Sequence, residues 1–246
     1  MKPRTEALIR LLGVQASYTY ERMSGIGVGH ASAPLLRDVF ATRSVRERRE
    51  AVARSADFFN SHPYLAGVAV GAEVRAEQDG VPGATISRLR TALSGPLGSL
   101  GDQLIWAGWV PALIGAALVA APWAGLWAVI VIVVVHNVLR ISLTGWGLDL
   151  GLREGLRVGA ALQRSWLPRG AEQAQRAAAF AVGLAVPIVA WRILAGGGRA
   201  DIALTLGISL LGVMMSVLPA TRIRITGLRF GLLLVVAAAI VVGASR

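Results

Sequence analysis

Four polar residues stand out in a sequence that is otherwise strongly apolar. The stretch "NSHPYLAGVAVGAE" at residues 60–73 sets Asn60, His62 and Glu73 around an apolar run, and Asp102 precedes a longer one. A polar group buried among apolar side chains costs free energy unless it is paired. Such residues are therefore usually exposed, used as helix caps or used to bind a ligand through hydrogen bonds.

Each of the four also has a purely structural interpretation. His62 could cap a helix end through a ring nitrogen, and Asn60 could cap the C-terminus of a preceding helix, because asparagine tolerates left-handed geometry. Asp102 could be the N-cap of the helix that follows it. Glu73 could be a solvated charge at a membrane surface, whereas a Glu at membrane depth would be a functional candidate.

Catalytic and metal-binding signatures are missing from the sequence. It has no cysteine, and its three histidines lack the spacing typical of a zinc site. It contains neither a phosphate-binding GxxxxGK[ST] loop nor a serine-hydrolase elbow. We therefore expect no metal, no other cofactor and no catalytic residues. The net charge of +11 does not predict a nucleic-acid partner, because the arginines cluster between apolar segments.

The composition predicts a membrane protein. Of the 246 residues, 54% are hydrophobic and 16% are charged, and the mean hydropathy is +0.59. No charged residue occurs from Gln103 to Leu139, which is enough for two spans of roughly 17 to 20 residues with a turn near 121–123. Further spans are predicted at Ala177–Leu194, Ile202–Pro219 and Leu228–Gly243, giving about five transmembrane helices.

Arginine placement predicts the orientation of these spans. Six arginines lie between the second and third spans: Arg140, Arg153, Arg157, Arg164, Arg169 and Arg176. Three more lie between the fourth and fifth: Arg222, Arg224 and Arg229. Basic loops stay in the cytoplasm, so the N-terminus is predicted inside and the C-terminus outside. No secretory signal is visible, so we expect the N-terminus to be retained.

The region before the spans divides into two parts, and we predict three domains in all. Residues 1–59 read as amphipathic helices, the second opened by a capping box at Ser44 and Glu47. Residues 60–102 read as broken, re-entrant elements, interrupted at Pro63 and again in the Gly/Pro-rich stretch 93–106. Residues 103–246 form the transmembrane domain. Transporters build substrate sites from such broken elements.

Several residues of the spans have a structural interpretation. Trp106, Trp109, Trp123 and Trp127 are interpreted as anchors at the membrane interface, with stacking on the ring of a ligand as the alternative. His136 is predicted to pack against a neighbouring helix. A glycine series predicts close contact with a partner subunit: Gly145, Gly147, Gly151, Gly155 and Gly159.

Four stretches together carry a resemblance to a known family. They are "YERMSGIGVGHASAPLL", "FFNSHPYLAGVAVGAEVRAE", "LSGPLGSLGDQLIWAGWVP" and "GWGLDLGLREGL". In order and spacing they resemble the IID component of the mannose/fructose/sorbose family of sugar phosphotransferase systems. The paired motifs N-x-H-P-Y-L and G-P-L-x-x-L-G-D are specific in combination.

The resemblance implies a multi-pass subunit of the bacterial inner (plasma) membrane. It implies a hetero-oligomer in which a IIC subunit joins this chain to bind and translocate a hexose-like sugar. Phosphorylated IIB, which acts together with IIA, then phosphorylates that sugar. It makes Asn60, His62, Glu73 and Asp102 candidate sugar ligands. The alternative is a non-transporting membrane scaffold or regulatory relative. The outer loop "AGGGRAD" is shorter than members of this family usually have, which leaves the sugar open.

Overall fold

Helices form every regular element of the described chain. The structure is a computed structural model that describes residues 1–41 and 43–194. The nine α-helices within those ranges are α1 Pro3–Leu12, α2 Gly25–Val39, α3 Val45–Ser55, α4 Ala66–Gln78, α5 Gly83–Gly101, α6 Val110–Ala124, α7 Leu126–Glu154, α8 Val158–Arg164 and α9 Leu167–Leu194. The all-α prediction is confirmed for this part of the chain. The predicted spans at Ile202–Pro219 and Leu228–Gly243 lie outside the described residues.

The N-terminal region contains three helices, of which two were predicted. The capping box that opens α3 is present, since the Ser44 side chain accepts from the Glu47 backbone N–H and the Glu47 carboxylate accepts from the Ser44 backbone N–H. The Ser44 hydroxyl also donates to the Glu47 carboxylate, and this hydrogen bond, together with the one from the Ser44 backbone N–H, lowers the pKa of Glu47. Helix α2 was not predicted, because "GIGVGHASAPLLRDV" is rich in glycine and contains Pro34. Its glycines allow close packing: a Cβ at Gly25 would overlap the Asp57 carbonyl.

Helix α4 lies at the centre of the described fold and packs against α7 at backbone distance. Nearly all of α4 is buried, which makes it a core helix of this chain. A Cβ at Gly71 would overlap the Leu148 carbonyl, and one at Gly151 would overlap the Val68 carbonyl. The prediction that the α7 glycines meet a partner subunit is therefore wrong for Gly147 and Gly151, which contact α4 instead.

Two long apolar stretches meet the length and composition expected of membrane spans. They lie within Gly83–Ala124 and Leu126–Val186, where 18-residue windows reach mean hydropathies of 2.0 and 2.2. The turn between them is at Gly125, whose φ of 53° suits glycine, rather than at 121–123 as predicted. Helix α7 has 29 residues and is about 43 Å long, which exceeds the roughly 30 Å hydrocarbon core of a bilayer.

The interruption predicted at 93–106 takes a different form in the structure. Helix α5 continues through Pro96 to Gly101, and a π-helical segment, Asp102–Trp109, joins it directly to α6. No gap in the helix occurs here. The wider turns of a π-helix are rare in proteins. Those that do occur are often at functional sites, because they redirect side chains within an otherwise continuous helix.

Candidate functional site

The segment that carries Asn60 and His62 is held in a non-helical conformation by its own sequence. Helix α3 ends at Ser55, and the next regular turn is a short 3₁₀ helix, Pro63–Leu65. Pro63 occupies the first position of that turn, where its missing N–H costs nothing. The break predicted at Pro63 is thus present. It places residues 57–62 in a loop between α3 and the 3₁₀ turn.

His62 uses one ring nitrogen to hold this loop. Its Nδ1 accepts a hydrogen bond from the Tyr64 backbone N–H at 3.3 Å, so the predicted capping role exists. Because Nδ1 is the acceptor, Nε2 carries the proton in the neutral ring. Burial lowers the pKa of His62 to about 4, against the opposing effect of the Asp102 carboxylate. The imidazole is therefore neutral near pH 7.

The second ring nitrogen of His62 is an unused hydrogen-bond donor. The side chain is 2% exposed, and Nε2 is buried without a hydrogen-bond partner in the described part of the protein. Buried donors are nearly always paired, because an unmade hydrogen bond costs the desolvation of the group. Nε2 therefore needs a partner that the described residues do not supply, and His62 also lines an open cleft.

A cleft of about 240 Å³ lies beside His62. Its lining comprises Gln15, Tyr18, Asn60, Ser61, His62, Pro63, Gly98, Asp102 and Trp106. The volume is just below the roughly 300–1,000 Å³ typical of small-molecule pockets. Three of the four predicted ligands, Asn60, His62 and Asp102, are brought together here. They come from the loop and from the first residue of the π-helical segment.

Glycines of the second motif explain how these residues meet. A Cβ at Gly101 would overlap the His62 side chain, and one at Gly98 would lie 3.8 Å from the Ser61 Cα. Helix α5 therefore packs tightly against the His62 side chain at Gly101 and makes an ordinary contact with Ser61 at Gly98. Ser94 on the same helix donates a hydrogen bond to the Asn60 carbonyl. The two motifs thus pack on each other, which explains why they occur as a pair.

The structure removes the capping alternatives for two of these residues. Helix α3 ends five residues before Asn60 and is capped by Ala56, so Asn60 does not cap it. Asp102 has helical dihedrals, φ −64° and ψ −42°, and follows α5 without a break, so it is not an N-cap. The Asn60 side-chain oxygen instead accepts from the Tyr18 hydroxyl at 3.4 Å, and Asp102 is exposed in the cleft.

Glu73 lies apart from the cleft in a buried ion pair. Its carboxylate is 2.7 Å from an Arg90 nitrogen, and both side chains are almost completely buried. The interpretation of Glu73 as a solvated charge is therefore wrong. Burial raises the pKa of Glu73, and Arg90 opposes this shift by stabilising the charged form. Beside the pair is a space of about 10 Å³, room for a single water.

Arg90 connects this ion pair to the loop. Its guanidinium donates to the carbonyl of Asp57 at 2.7 Å and to that of Phe58 at 3.4 Å, and it lies 4.8 Å from the centre of the Phe59 ring. These are the three residues that immediately precede Asn60. Glu73 is therefore linked to the loop through Arg90 and does not line the cleft.

Other contributors to the cleft carry weak signals in the sequence. Tyr18 lies two residues before the first resembling stretch, and nothing local shows that it meets Asn60, 42 residues away. Trp106 was interpreted as an interface anchor, although its position four residues after Asp102 suits a shared helix face. Behind the cleft, the Tyr64 hydroxyl lies 2.9 Å from His136 Nε2, which ties the 3₁₀ turn to α7 as the packing prediction for His136 implies.

Comparison with known proteins identifies relatives that agree with one another. Residues 1–193 match the family described as "PTS system mannose/fructose/sorbose family IID component". The chain is 25% identical to the fructose permease IID component of Bacillus subtilis over 199 residues, 76% of this chain and 72% of the relative. It is 30% identical to the sorbose-specific EIID component of Lacticaseibacillus casei and 24% identical to the mannose-specific EIID component of Escherichia coli. In both, 70% of this chain covers 62% of the relative.

Solved structures share this fold. A chain in the cryo-EM structure of the mannose transporter ManYZ with microcin E492 matches with a TM-score of 0.56 at 23% identity, covering 75% of this chain and 69% of that one. A second structure, titled "Structure of membrane protein", matches with a TM-score of 0.64 at the same identity and coverage. The all-helical membrane architecture is therefore shared with proteins of known structure.

Proposed function

Because the chain belongs to the IID components of the mannose/fructose/sorbose family of phosphotransferase systems, we propose that it pairs with a IIC subunit to bind and translocate a hexose-like sugar. Phosphorylated IIB, which acts together with IIA, then phosphorylates the sugar at the cytoplasmic face. The mannose, fructose and sorbose relatives support this assignment. The contribution of this chain is binding and orientation, since the phosphoryl group arrives on another protein.

The observation that carries the proposal is the meeting of Asn60, His62 and Asp102 in one cleft. Sugar hydroxyls both donate and accept hydrogen bonds, so they need a mixed set of protein groups. His62 Nε2 offers a donor, the Asp102 carboxylate offers acceptors and the Asn60 amide offers both. We assign sugar contact to these three residues and a positioning role, through Arg90, to Glu73.

The site suits a neutral, hydroxyl-rich ligand better than an anion. His62 is neutral because burial holds its pKa near 4, and Asp102 repels negative charge. An unphosphorylated sugar satisfies both groups. A sugar phosphate would bring its charge towards the carboxylate, which favours release after phosphorylation.

The function is tested by uptake in a strain that lacks other transporters of D-mannose, D-fructose and L-sorbose. Expression of this chain with IIC, IIB and IIA should allow accumulation of at least one of these sugars as its phosphate. Omission of this chain or of IIC should abolish accumulation, and omission of IIB should abolish phosphorylation. A complete set of subunits that assembles but accumulates none of the three would support the scaffold alternative.

We also propose a topology of five spans in the bacterial plasma membrane, with the N-terminus in the cytoplasm and the C-terminus outside. It rests on the arginine-rich segments, which are held in the cytoplasm during insertion. Reporter fusions after Arg164 and Arg224 should report cytoplasm, and fusions after Gly197 and Arg246 the outside. A cytoplasmic reporter at Arg246 would contradict the five-span count. In this topology, we propose that the re-entrant elements lie within residues 60–102.

A further inference from the structure

Trp106 occupies an unusual place for a large aromatic residue. It lies on the π-helical segment, lines the polar cleft and is 52% exposed. Its ring centre is 5.8 Å from that of His62, with the two planes inclined by 57°. Asp102 lies on the same segment, and both residues line the same cleft. The indole therefore borders the same space as the hydrogen-bonding groups.

The other tryptophans of this region have different surroundings. Trp123 and Trp127 are 80% and 69% exposed and lie on either side of the α6–α7 turn among exposed apolar residues, as expected of anchors at a membrane interface. Trp109 is partly buried against the hydrophobic core. Trp106 is the one of the four that lines the cleft, among Asn60, His62 and Asp102. The surroundings of Trp106 fit a ligand-facing role better than a lipid-facing one.

We propose that Trp106 is a specificity-determining residue of the cleft, whose indole face stacks on the C–H-rich face of a hexopyranose. This inference rests on the proposed sugar function and names the ring form that the site takes. A pyranose is polar around its edge, while each face presents several C–H groups of slight positive charge. The face of an aromatic ring is slightly negative and attracts such groups.

The hydrogen-bonding residues and Trp106 should contact different parts of the sugar. Hydrogen bonds from Asn60, His62 and Asp102 suit the hydroxylated edge of the sugar, and the flat indole suits its face. A flexible acyclic polyol has no such face, so it gains hydrogen bonds without stacking. Trp106 should therefore favour cyclic hexoses over polyols of equal hydroxyl count.

The test uses the assembled complex with IIC, without IIB, and measures binding of D-mannose or, if D-fructose or L-sorbose binds wild type more tightly, of that sugar in its place. Trp106→Leu should weaken binding about tenfold, and Trp106→Phe, which keeps a flat ring, should stay within about threefold of wild type. Trp127→Leu is the matched control and should bind normally. Mannose should also change the intrinsic tryptophan fluorescence, and that change should disappear in Trp106→Phe but persist in Trp127→Phe.

The possible outcomes separate this inference from the function on which it rests. If Asn60→Ala loses binding while Trp106→Leu binds as wild type, the stacking role is overturned and the sugar site stands. If both variants bind as wild type, the sugar site itself is overturned. If Trp106→Leu fails to assemble with IIC, the fluorescence of Trp106→Phe decides: persistence of the mannose-dependent change overturns the inference, and its loss supports it.

Discussion

His62→Asn is expected to lower sugar uptake per assembled complex by tenfold or more, while the protein remains folded. The asparagine oxygen can replace Nδ1 as the acceptor for the Tyr64 backbone N–H, so the cap of the 3₁₀ turn survives. The variant lacks a group at the position of Nε2, the His62 donor that has no hydrogen-bond partner among the described residues. A tenfold loss corresponds to about 1.4 kcal/mol, within the range of a hydrogen bond in a site shielded from water.

His62→Gln is the complementary variant, because its longer side chain reaches the position of Nε2 and not that of Nδ1. It should retain more uptake per complex than His62→Asn but assemble in smaller amounts, since the cap is lost. The pair therefore assigns the two nitrogens separately. If His62→Asn kept normal uptake while His62→Gln alone reduced it, the residue would be a cap and not a sugar ligand.

Arg90→Met is expected to be the most destabilising change at the buried ion pair, at about 3–5 kcal/mol. It leaves the Glu73 carboxylate buried without its partner and removes the donors to the carbonyls of Asp57 and Phe58. Thermal unfolding of the purified complex and abundance in the membrane measure this loss. Arg75→Met is the control, because Arg75 pairs with Asp79 at an exposed position and should change stability little.

The double variant Glu73→Met with Arg90→Met distinguishes charge burial from loop positioning. Removing both charges should recover much of the stability lost by Arg90→Met, because no unpaired ion remains. Uptake per complex should stay low, because the loop before Asn60 still lacks the arginine that holds its carbonyls. Full recovery of uptake in the double variant would rule out the positioning role and leave the pair a purely structural one.

Features of the fold that depend on a few neighbouring residues could be predicted from the sequence. The capping box of Ser44 and Glu47 closes over three residues, so its pattern specifies its geometry. Pro63 restricts its own dihedral and that of His62, so the break in the helix there was also predictable. The apolar run after Gln103 is long enough to indicate membrane helices whatever their neighbours.

Features that depend on distant contacts were missed or misread. The glycine-rich stretch 93–106 is predicted to interrupt a helix and the α7 glycines to meet a partner, yet Gly101 and Gly151 lie in helices and mark where another segment of the same chain packs on them. A glycine leaves no trace in the sequence of which segment approaches it. The same holds for Glu73, which the sequence leaves open between a solvated charge and a functional residue, because its partner, Arg90, lies 17 residues away on the next helix.

At the candidate site too, some residues could be recognised from the sequence, while their arrangement could not. Asn60, His62 and Asp102 stand out in the sequence because polar groups in apolar stretches are costly, but their role as sugar ligands is what the family resemblance implies. That they share one cleft depends on the close approach of α5 to the loop at Gly98 and Gly101, which only the packed chain reveals. Trp106 was assigned to the membrane interface because periodicity and composition do not separate a lipid-facing from a ligand-facing aromatic residue.

The most direct test of the central claim is the binding of radiolabelled sugar to the purified complex with IIC in the absence of IIB. Phosphorylation is then excluded, and the dissociation constant reports contact with the sugar alone. D-mannose, D-fructose and L-sorbose would be compared on wild type, and the tightest would be used for His62→Asn. We expect the variant complex to assemble in normal amounts with a dissociation constant at least tenfold higher. An assembled variant that binds as tightly as wild type would contradict the account.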